Sequence, residues 1–134
     1  MTRLRNDRGA VSTFLAVIAV ALLMAAGLAV DGGRKVAALR EVSHVADNAA
    51  RAGAQAINPD SLRSGGEIRL DPEQAAAAAA AYLASVGHTG DVTVEADRVT
   101  VTVTLTIQPR LLPTGPMTVT ATETATAVTE EPPP

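Results

Sequence analysis

The sequence contains no cysteine and no tryptophan, and its only aromatic residues are Phe14 and Tyr82. Disulfides, thiolate chemistry and zinc sites built on cysteine are therefore excluded. A core with so few aromatic rings must consist of alanine, valine, leucine and isoleucine. Because alanine buries little area, we expect a domain of modest stability or one that a partner completes.

Clusters of basic residues are also lacking, and the charges that are present are unevenly distributed. Residues 1–9 carry a net charge of about +2, whereas residues 31–134 carry eight basic and thirteen acidic side chains, a net charge of about −5. The acidic part has neither the basic patches nor the aromatic side chains with which proteins bind nucleic acids. We therefore expect no nucleic-acid partner.

Recognisable catalytic motifs are absent as well. The sequence has no HExxH, no GxSxG, no phosphate-binding glycine loop and no acidic cluster with metal-ligand spacing. Of the two histidines, His44 falls on the polar face of a predicted helix and His88 in a Val-Gly-His-Thr-Gly turn, so we expect both to be solvated. The sequence predicts no enzyme, no cofactor, no metal and no small-molecule substrate.

What the sequence does contain is one long uncharged stretch. Residues 10–30 read AVSTFLAVIAVALLMAAGLAV. At about 1.5 Å per helical residue these positions span roughly 30 Å, which is the thickness of the hydrocarbon core of a bilayer. We predict a transmembrane helix over residues 10–30.

The short basic tail of residues 1–9 favours a cytoplasmic N-terminus and an extracytoplasmic C-terminal part, although three basic residues also follow the segment closely. A cleaved signal peptide is the alternative, and cleavage near Ala29 would release a secreted small binding or structural domain. Since the apolar run continues to Val30 and a helical pattern follows without a break, we favour retention of the segment.

The helical pattern continues beyond the membrane segment. Small and apolar residues recur at spacings of three and four opposite a polar face, and they comprise Leu39, Val42, Ala46, Ala49, Gly53 and Ala56. No proline occurs before Pro59. We therefore predict that residues 31–57 continue the same helix outside the membrane.

Small residues on this helix permit the close approach of a second helix. Gly32 and Gly33 stand at the exit from the bilayer, directly after Asp31, which we expect to mark its outer boundary. A hinge at the two glycines is the alternative, because each costs about 1 kcal/mol of helix stability relative to alanine. We predict helix packing at Gly27, Gly32, Gly33, Ala46, Ala49 and Gly53.

The sequence pattern over residues 58–128 predicts a small external α+β domain. Proline, aspartate and paired glycines indicate a loop over residues 58–70. Asp71 is suited to the N-cap and Pro72 to the first position of a short alanine-rich helix, which Gly87 ends.

From Asp91 onward the period of the sequence changes to two. Aliphatic residues alternate with polar residues, mostly threonine, over residues 92–96, 99–107 and 117–128. We predict a three-stranded antiparallel meander with one aliphatic face toward the helices and one threonine-lined face. Residues 129–134 are predicted to form a disordered tail.

The connection between the second and third strands, residues 108–116, contains two adjacent leucines, Leu111 and Leu112, among prolines and a glycine. Two interpretations are open. The pair covers the open end of a small core, which is the commoner case, or it touches a partner or the membrane surface.

Three motifs together resemble a known family. Arg-Gly at 8–9 precedes the uncharged helix, VDGGR at 30–34 follows it, and ADNAARAGA occupies 46–54. With these motifs the chain resembles the TadE/TadG-like proteins of bacterial tight-adherence (Flp-type) pilus assembly.

The resemblance implies a single-pass protein of the cell membrane, pseudopilin-like, that acts in a pilus assembly or related secretion apparatus. Its implied partners are the lipid bilayer and other pilus-assembly or pilin-like subunits. The resemblance also implies a candidate prepilin-peptidase processing site between Gly9 and Ala10. Such sites normally have a glutamate five residues after the cut, where this chain has Phe14.

Overall fold

The computed structural model of the protein describes residues 7–65 and 69–127. The elements in chain order are α1 (Asp7–Ala54), α2 (Pro59–Arg63), α3 (Pro72–Ser85), β1 (Gly90–Glu95), β2 (Arg98–Ile107) and β3 (Met117–Thr126). The predicted α+β fold is confirmed. The predicted disordered tail and most of the predicted cytoplasmic tail lie outside the described residues.

Helix α1 is one continuous element of 48 residues, about 72 Å long. It passes through Gly32 and Gly33 without interruption. It ends at Ala54, three residues before the predicted end at Ile57. Ile57 instead forms an isolated β-bridge with Leu70, which turns the chain back toward α3.

The predicted loop of residues 58–70 contains a short helix, α2, that the sequence pattern did not predict. Asn58 is its N-cap, since its side-chain oxygen accepts a hydrogen bond from the Asp60 N–H at 2.9 Å, and Pro59 occupies the first helical position. An Asn-Pro pair is itself a helix-start signal. One turn of helix was too short to leave a periodic pattern.

Helix α3 begins as predicted. The Asp71 carboxylate accepts hydrogen bonds from the backbone N–H groups of Glu73 at 3.1 Å and Gln74 at 3.2 Å. The Gln74 amide also donates to the Asp71 carboxylate at 2.9 Å, which completes a capping pair. The buried residues of α3 are four positions apart, so one narrow stripe of Ala75, Ala79 and Leu83 faces the rest of the domain.

The three strands form the predicted antiparallel meander in the order β1-β2-β3. Ala96 and Asp97 connect β1 to β2, and Ala96 has a positive φ of 47°. The valines of β2 are fully buried, whereas its threonines pair across the opposite face with those of β3, with hydroxyl separations of 2.9 to 3.1 Å. The predicted division into an aliphatic and a threonine-lined face is therefore confirmed.

The C-terminal half of α1 packs against the aliphatic face of the sheet and against α3. Among residues 7–65 and 69–127, the buried core side chains are all alanine, valine or leucine: Ala38, Val42, Ala46, Ala49, Ala50, Ala54, Leu70, Ala75, Ala79, Leu83, Val99, Val101, Val103 and Val119. The prediction that Leu39 lies on the packed face of α1 is wrong. Leu39 is 46% exposed and its neighbour Ala38 is buried instead, because the buried stripe of α1 runs through positions 38, 42 and 46 at spacings of four, and Leu39 lies about 100° around the helix from Ala38.

Candidate membrane and assembly interface

The N-terminal half of α1 has little protein around it. All of its large apolar side chains are exposed: Val11, Phe14, Leu15, Val17, Ile18, Val20, Leu22, Leu23, Met24, Leu28 and Val30. In the most apolar 18-residue window of the helix, only 6% of the positions are buried. The core helix of a soluble protein of this length would be covered by its own chain. This helix is long and apolar enough to cross a membrane.

Asp31, directly after the apolar stretch, is the one buried charged side chain among the described residues, with 1% exposure. Its carboxylate accepts three backbone hydrogen bonds from the loop between β2 and β3. Oδ1 accepts from the N–H of Arg110 at 2.9 Å, and Oδ2 accepts from those of Leu111 at 3.0 Å and Leu112 at 2.8 Å. One side chain thus attaches the loop to the helix where the apolar stretch ends.

These hydrogen bonds stabilise the ionised form of the carboxyl. They hold the pKa of Asp31 below its ordinary value, and the Arg110 N–H has the largest effect. The N–H groups of Leu112 and Leu111 and the positive charge of Arg34 act in the same direction, whereas burial of the carboxyl opposes them. Asp31 therefore remains an acceptor at neutral pH and well into the acidic range.

Gly27, one turn before Asp31, completes this contact. A Cβ atom at Gly27 would lie 3.4 Å from Leu111 Cβ and 3.4 Å from Leu112 Cδ2, so the loop packs directly on the glycine. On the far side of Asp31, the Arg34 guanidinium donates to the backbone carbonyl of Gln108 at 3.0 Å. We call Gly27, Asp31, Arg34 and the loop of residues 108–116 the exit clasp.

The sequence predicted a small-residue packing position at Gly27 and a bilayer boundary at Asp31, but not the contact between them and the loop. Neither Leu111 nor Leu112 belongs to the domain core. Leu112 is half-buried, and Leu111 is 59% exposed. Of the two open interpretations of this pair, coverage of the core is therefore wrong: the leucines lie beside α1, at the end of its apolar stretch.

The other predicted packing positions fall into two groups. Ala46, Ala49 and Gly53 are buried inside the chain's own domain, and a Cβ at Gly53 would lie only 2.9 Å from the Ala75 carbonyl oxygen. At Gly32 and Gly33, by contrast, an added methyl group would meet nothing within 4 Å. Packing of these positions against a partner subunit stays a prediction.

The candidate processing site lies in the first turns of α1. Gly9 and Ala10 are both exposed, and the Gly9 carbonyl accepts a hydrogen bond from the Thr13 hydroxyl at 2.9 Å. The peptide bond between them is therefore helical in the unprocessed chain. Cleavage at this bond stays a prediction.

The histidines behave differently from one another. His44 is exposed, as predicted, but the prediction of a solvated His88 is wrong. The His88 side chain is 14% exposed, and its Nε2 lies 3.3 Å from Glu41 Oε1 of α1, because the turn after α3 folds back onto the helix. Among residues 7–65 and 69–127, no group of three or more His, Cys, Asp or Glu side chains could hold a metal ion.

Comparison with known proteins finds a family match for the N-terminal part of the chain. Residues 9–56 match the family model described as putative Flp pilus-assembly TadE/G-like. The resemblance predicted from the sequence is thereby confirmed over nearly the whole of α1. No curated protein and no solved structure gives a significant match to the chain.

Proposed function

We propose that the protein is a single-pass membrane component of a Flp/Tad-type pilus assembly or secretion apparatus, pseudopilin-like, with its N-terminus in the cytoplasm and its α+β domain outside. The observation that carries the proposal is the division of α1 into two halves. The first half exposes its apolar side chains, the second half is buried in the domain, and the two together coincide with the family match over residues 9–56. Such a helix both anchors the protein in the membrane and forms part of the core of its domain.

The exit clasp supports retention of the apolar segment in the mature protein. Cleavage near Ala29 would remove Gly27, on which Leu111 and Leu112 pack. It would also leave Asp31 in the first turn of a shortened helix, where backbone ends fray. A chain evolved for release at this point would have little reason to attach its loop across the cleavage site.

Helix packing with partner subunits is the mechanism that we propose for assembly. Because Ala46, Ala49 and Gly53 contact the chain's own domain, the open positions for a partner helix are Gly32 and Gly33. Val36, one turn further along, is 50% exposed and extends this small-residue patch with an apolar side chain. A partner helix can approach closely here without displacing any residue of the domain.

The mass of the native protein tests the anchored form directly. Intact mass spectrometry of membrane and culture-medium fractions is expected to find the protein in the membrane, either full-length or beginning at Ala10. The second mass would add evidence for pilin-like processing despite Phe14. A mature chain that begins near Val30 and accumulates in the medium would contradict the proposal and favour a secreted domain.

Gly33→Leu tests the packing mechanism. A Cβ atom at Gly33 would meet nothing within 4 Å, so the variant is expected to fold and insert normally but to lose co-purification with pilin-like subunits from solubilised membranes. Ala77→Leu, which adds the same side chain at an exposed position of α3, is the matched control. Equal co-purification of both variants would rule out packing at this patch.

A further inference from the structure

We infer that the loop of residues 108–116 is a second membrane contact, which places Leu111 in the outer interface of the same bilayer that α1 crosses. The inference rests on the proposed function, since it requires residues 10–30 to be inserted. The partner of the loop is the lipid interface itself. With this contact, the exit clasp fixes the orientation of the domain relative to the membrane.

The depth of the loop follows from its contact with Gly27. Val30 is the last residue of the apolar stretch, and Gly27 lies three residues, about 4.5 Å, before it along the helix axis. Leu111 Cβ and Leu112 Cδ2 both lie 3.4 Å from the position that a Cβ atom would take at Gly27. A loop that packs on a residue inside the apolar stretch is therefore at the level of the bilayer surface whenever that stretch spans the membrane.

The backbone of the loop is suited to a position with little water. Unpaired N–H groups are costly in an apolar medium, so irregular backbone is normally kept out of it. Three of the nine loop residues are prolines, which have no N–H to satisfy. Three of the remaining six N–H groups, those of residues 110–112, donate to Asp31. The clasp thus satisfies half of the loop's N–H donors, including those of Leu111 and Leu112, which pack on Gly27.

The exposed side chains of the loop match the two layers of an interface. Leu111 is 59% exposed beside the apolar helix. An aliphatic side chain that is exposed in the protein gains free energy when the acyl chains of a membrane bury it. Arg110 is exposed next to it, and Lys35 is exposed on the adjacent turn of α1. Basic side chains at this level are attracted to anionic lipid headgroups. An apolar side chain next to basic residues is typical of interfacial membrane contacts.

A tryptophan scan can test this placement, because the natural chain contains no tryptophan. Leu111→Trp introduces a single indole at an exposed position, so the fold should be preserved. The full-length variant is reconstituted in phosphatidylcholine–phosphatidylglycerol vesicles whose acyl chains are brominated close to the headgroup. We expect a blue-shifted emission that the brominated lipid quenches strongly.

Two further variants separate failure of this inference from failure of the proposed function. Phe14→Trp reports on the apolar helix, and Ala77→Trp reports on the exposed side of α3. Quenching at Phe14→Trp without quenching at Leu111→Trp would overturn the loop contact while leaving the transmembrane helix in place. Absence of quenching at Phe14→Trp would overturn the proposed function itself. Ala77→Trp is expected to be unaffected by the brominated lipid.

Asp31→Asn in the Leu111→Trp background tests whether the clasp holds the loop in place. An amide has one acceptor oxygen instead of two, and its NH₂ group is a donor that cannot accept a hydrogen bond from a loop N–H. We expect a loss of quenching and a red shift as the loop leaves the interface. Protection of Leu111→Trp from aqueous acrylamide without lipid quenching would indicate burial against a protein subunit instead and would overturn the inference.

Discussion

Asp31 joins two parts of the chain that are about 80 residues apart in sequence. A buried carboxylate is normally destabilising, but here three N–H donors and the nearby Arg34 compensate the ionised form. Because the donors are backbone groups, any residue except proline can supply them at positions 110–112. The requirement for a precise acceptor falls on position 31 alone.

The lowered pKa of Asp31 predicts how its contribution depends on pH. The folded-state pKa lies below the unfolded value, so the stabilisation is fully present above about pH 5 and is lost as the pH falls through the lowered pKa. Asp31→Asn is expected to lower the melting temperature at neutral pH by several degrees and to reduce its fall on acidification. Thermal unfolding of the full-length protein in detergent micelles, followed by circular dichroism, measures both.

Asp47→Asn is the control for this prediction, since it removes the same charge from the same helix. Asp47 pairs with Arg51 on the surface of α1, at 3.0 Å. An exposed i,i+4 pair contributes a few tenths of a kcal/mol, so this variant should melt close to the wild type. Similar melting curves for the two variants would mean that the loop hydrogen bonds to Asp31 contribute nothing to stability.

Gly53 and Gly33 offer a matched pair on one helix. The Gly53→Ala methyl would lie 2.9 Å from the Ala75 carbonyl oxygen and 3.0 Å from a Val99 methyl, so α1 and α3 must separate. We expect a loss of roughly 1–3 kcal/mol of stability. Gly33→Ala meets nothing within 4 Å and should gain up to about 1 kcal/mol from helix propensity. Denaturant unfolding compares them, and equal effects would contradict the close contact at Gly53.

At the scale of elements, local patterns in the sequence predicted most of the fold. The start of α3 followed from Asp71 and Pro72, and the two faces of the sheet followed from the alternation of valine and threonine. The packed face of α1 was predicted correctly at Val42, Ala46 and Ala49, but Leu39 was assigned to it instead of Ala38. Spacings of three and four define a stripe, but at its edge they do not decide which of two adjacent residues faces the sheet.

The exit clasp could not be predicted in the same way. Its two sides, Asp31 and the loop of residues 108–116, are distant in sequence, and a lone aspartate after an apolar helix has no pattern that indicates its hydrogen-bond donors. Glu123 is a second example, because the alternation of β3 places it on the aliphatic face. There it accepts a hydrogen bond from the Ser43 hydroxyl at 2.5 Å. The alternation within β3 could not predict this contact, because Ser43 lies on α1.

The two faces of β2 give a prediction at this scale. Val103 is fully buried and lies opposite Ala121, so Val103→Thr would place a hydroxyl in the core without a partner on the neighbouring strand and should cost roughly 1–3 kcal/mol. Thr102→Val, one residue away, breaks only the hydroxyl contact with Thr122 on the outer face and should change stability by less than about 0.5 kcal/mol. Denaturant unfolding checks both. A larger effect at Thr102 would mean that the threonine face is covered in the folded protein.

At the scale of the whole molecule, α1 is more than twice as long as the hydrocarbon core of a bilayer is thick. Its 48 residues span about 72 Å, of which roughly 30 Å lie in the apolar stretch. The remainder forms one side of the α+β domain through its contacts with the sheet and α3. Since no break separates the two halves, a tilt of the helix in the membrane moves the whole domain. The exit clasp and the loop contact inferred above would restrict that tilt.

The proposed orientation gives the last prediction, and the absence of cysteine makes it simple to test. Ala77→Cys places a single thiol on the exposed side of α3, and Thr2→Cys places one in the basic tail. A membrane-impermeant maleimide should label Ala77→Cys in spheroplasts and Thr2→Cys only after permeabilisation, because the short basic tail favours the cytoplasmic side. The reverse labelling pattern would mean that the protein has the opposite orientation in the membrane. A mature protein labelled at Ala77→Cys but never at Thr2→Cys, even in detergent, would have lost its N-terminus.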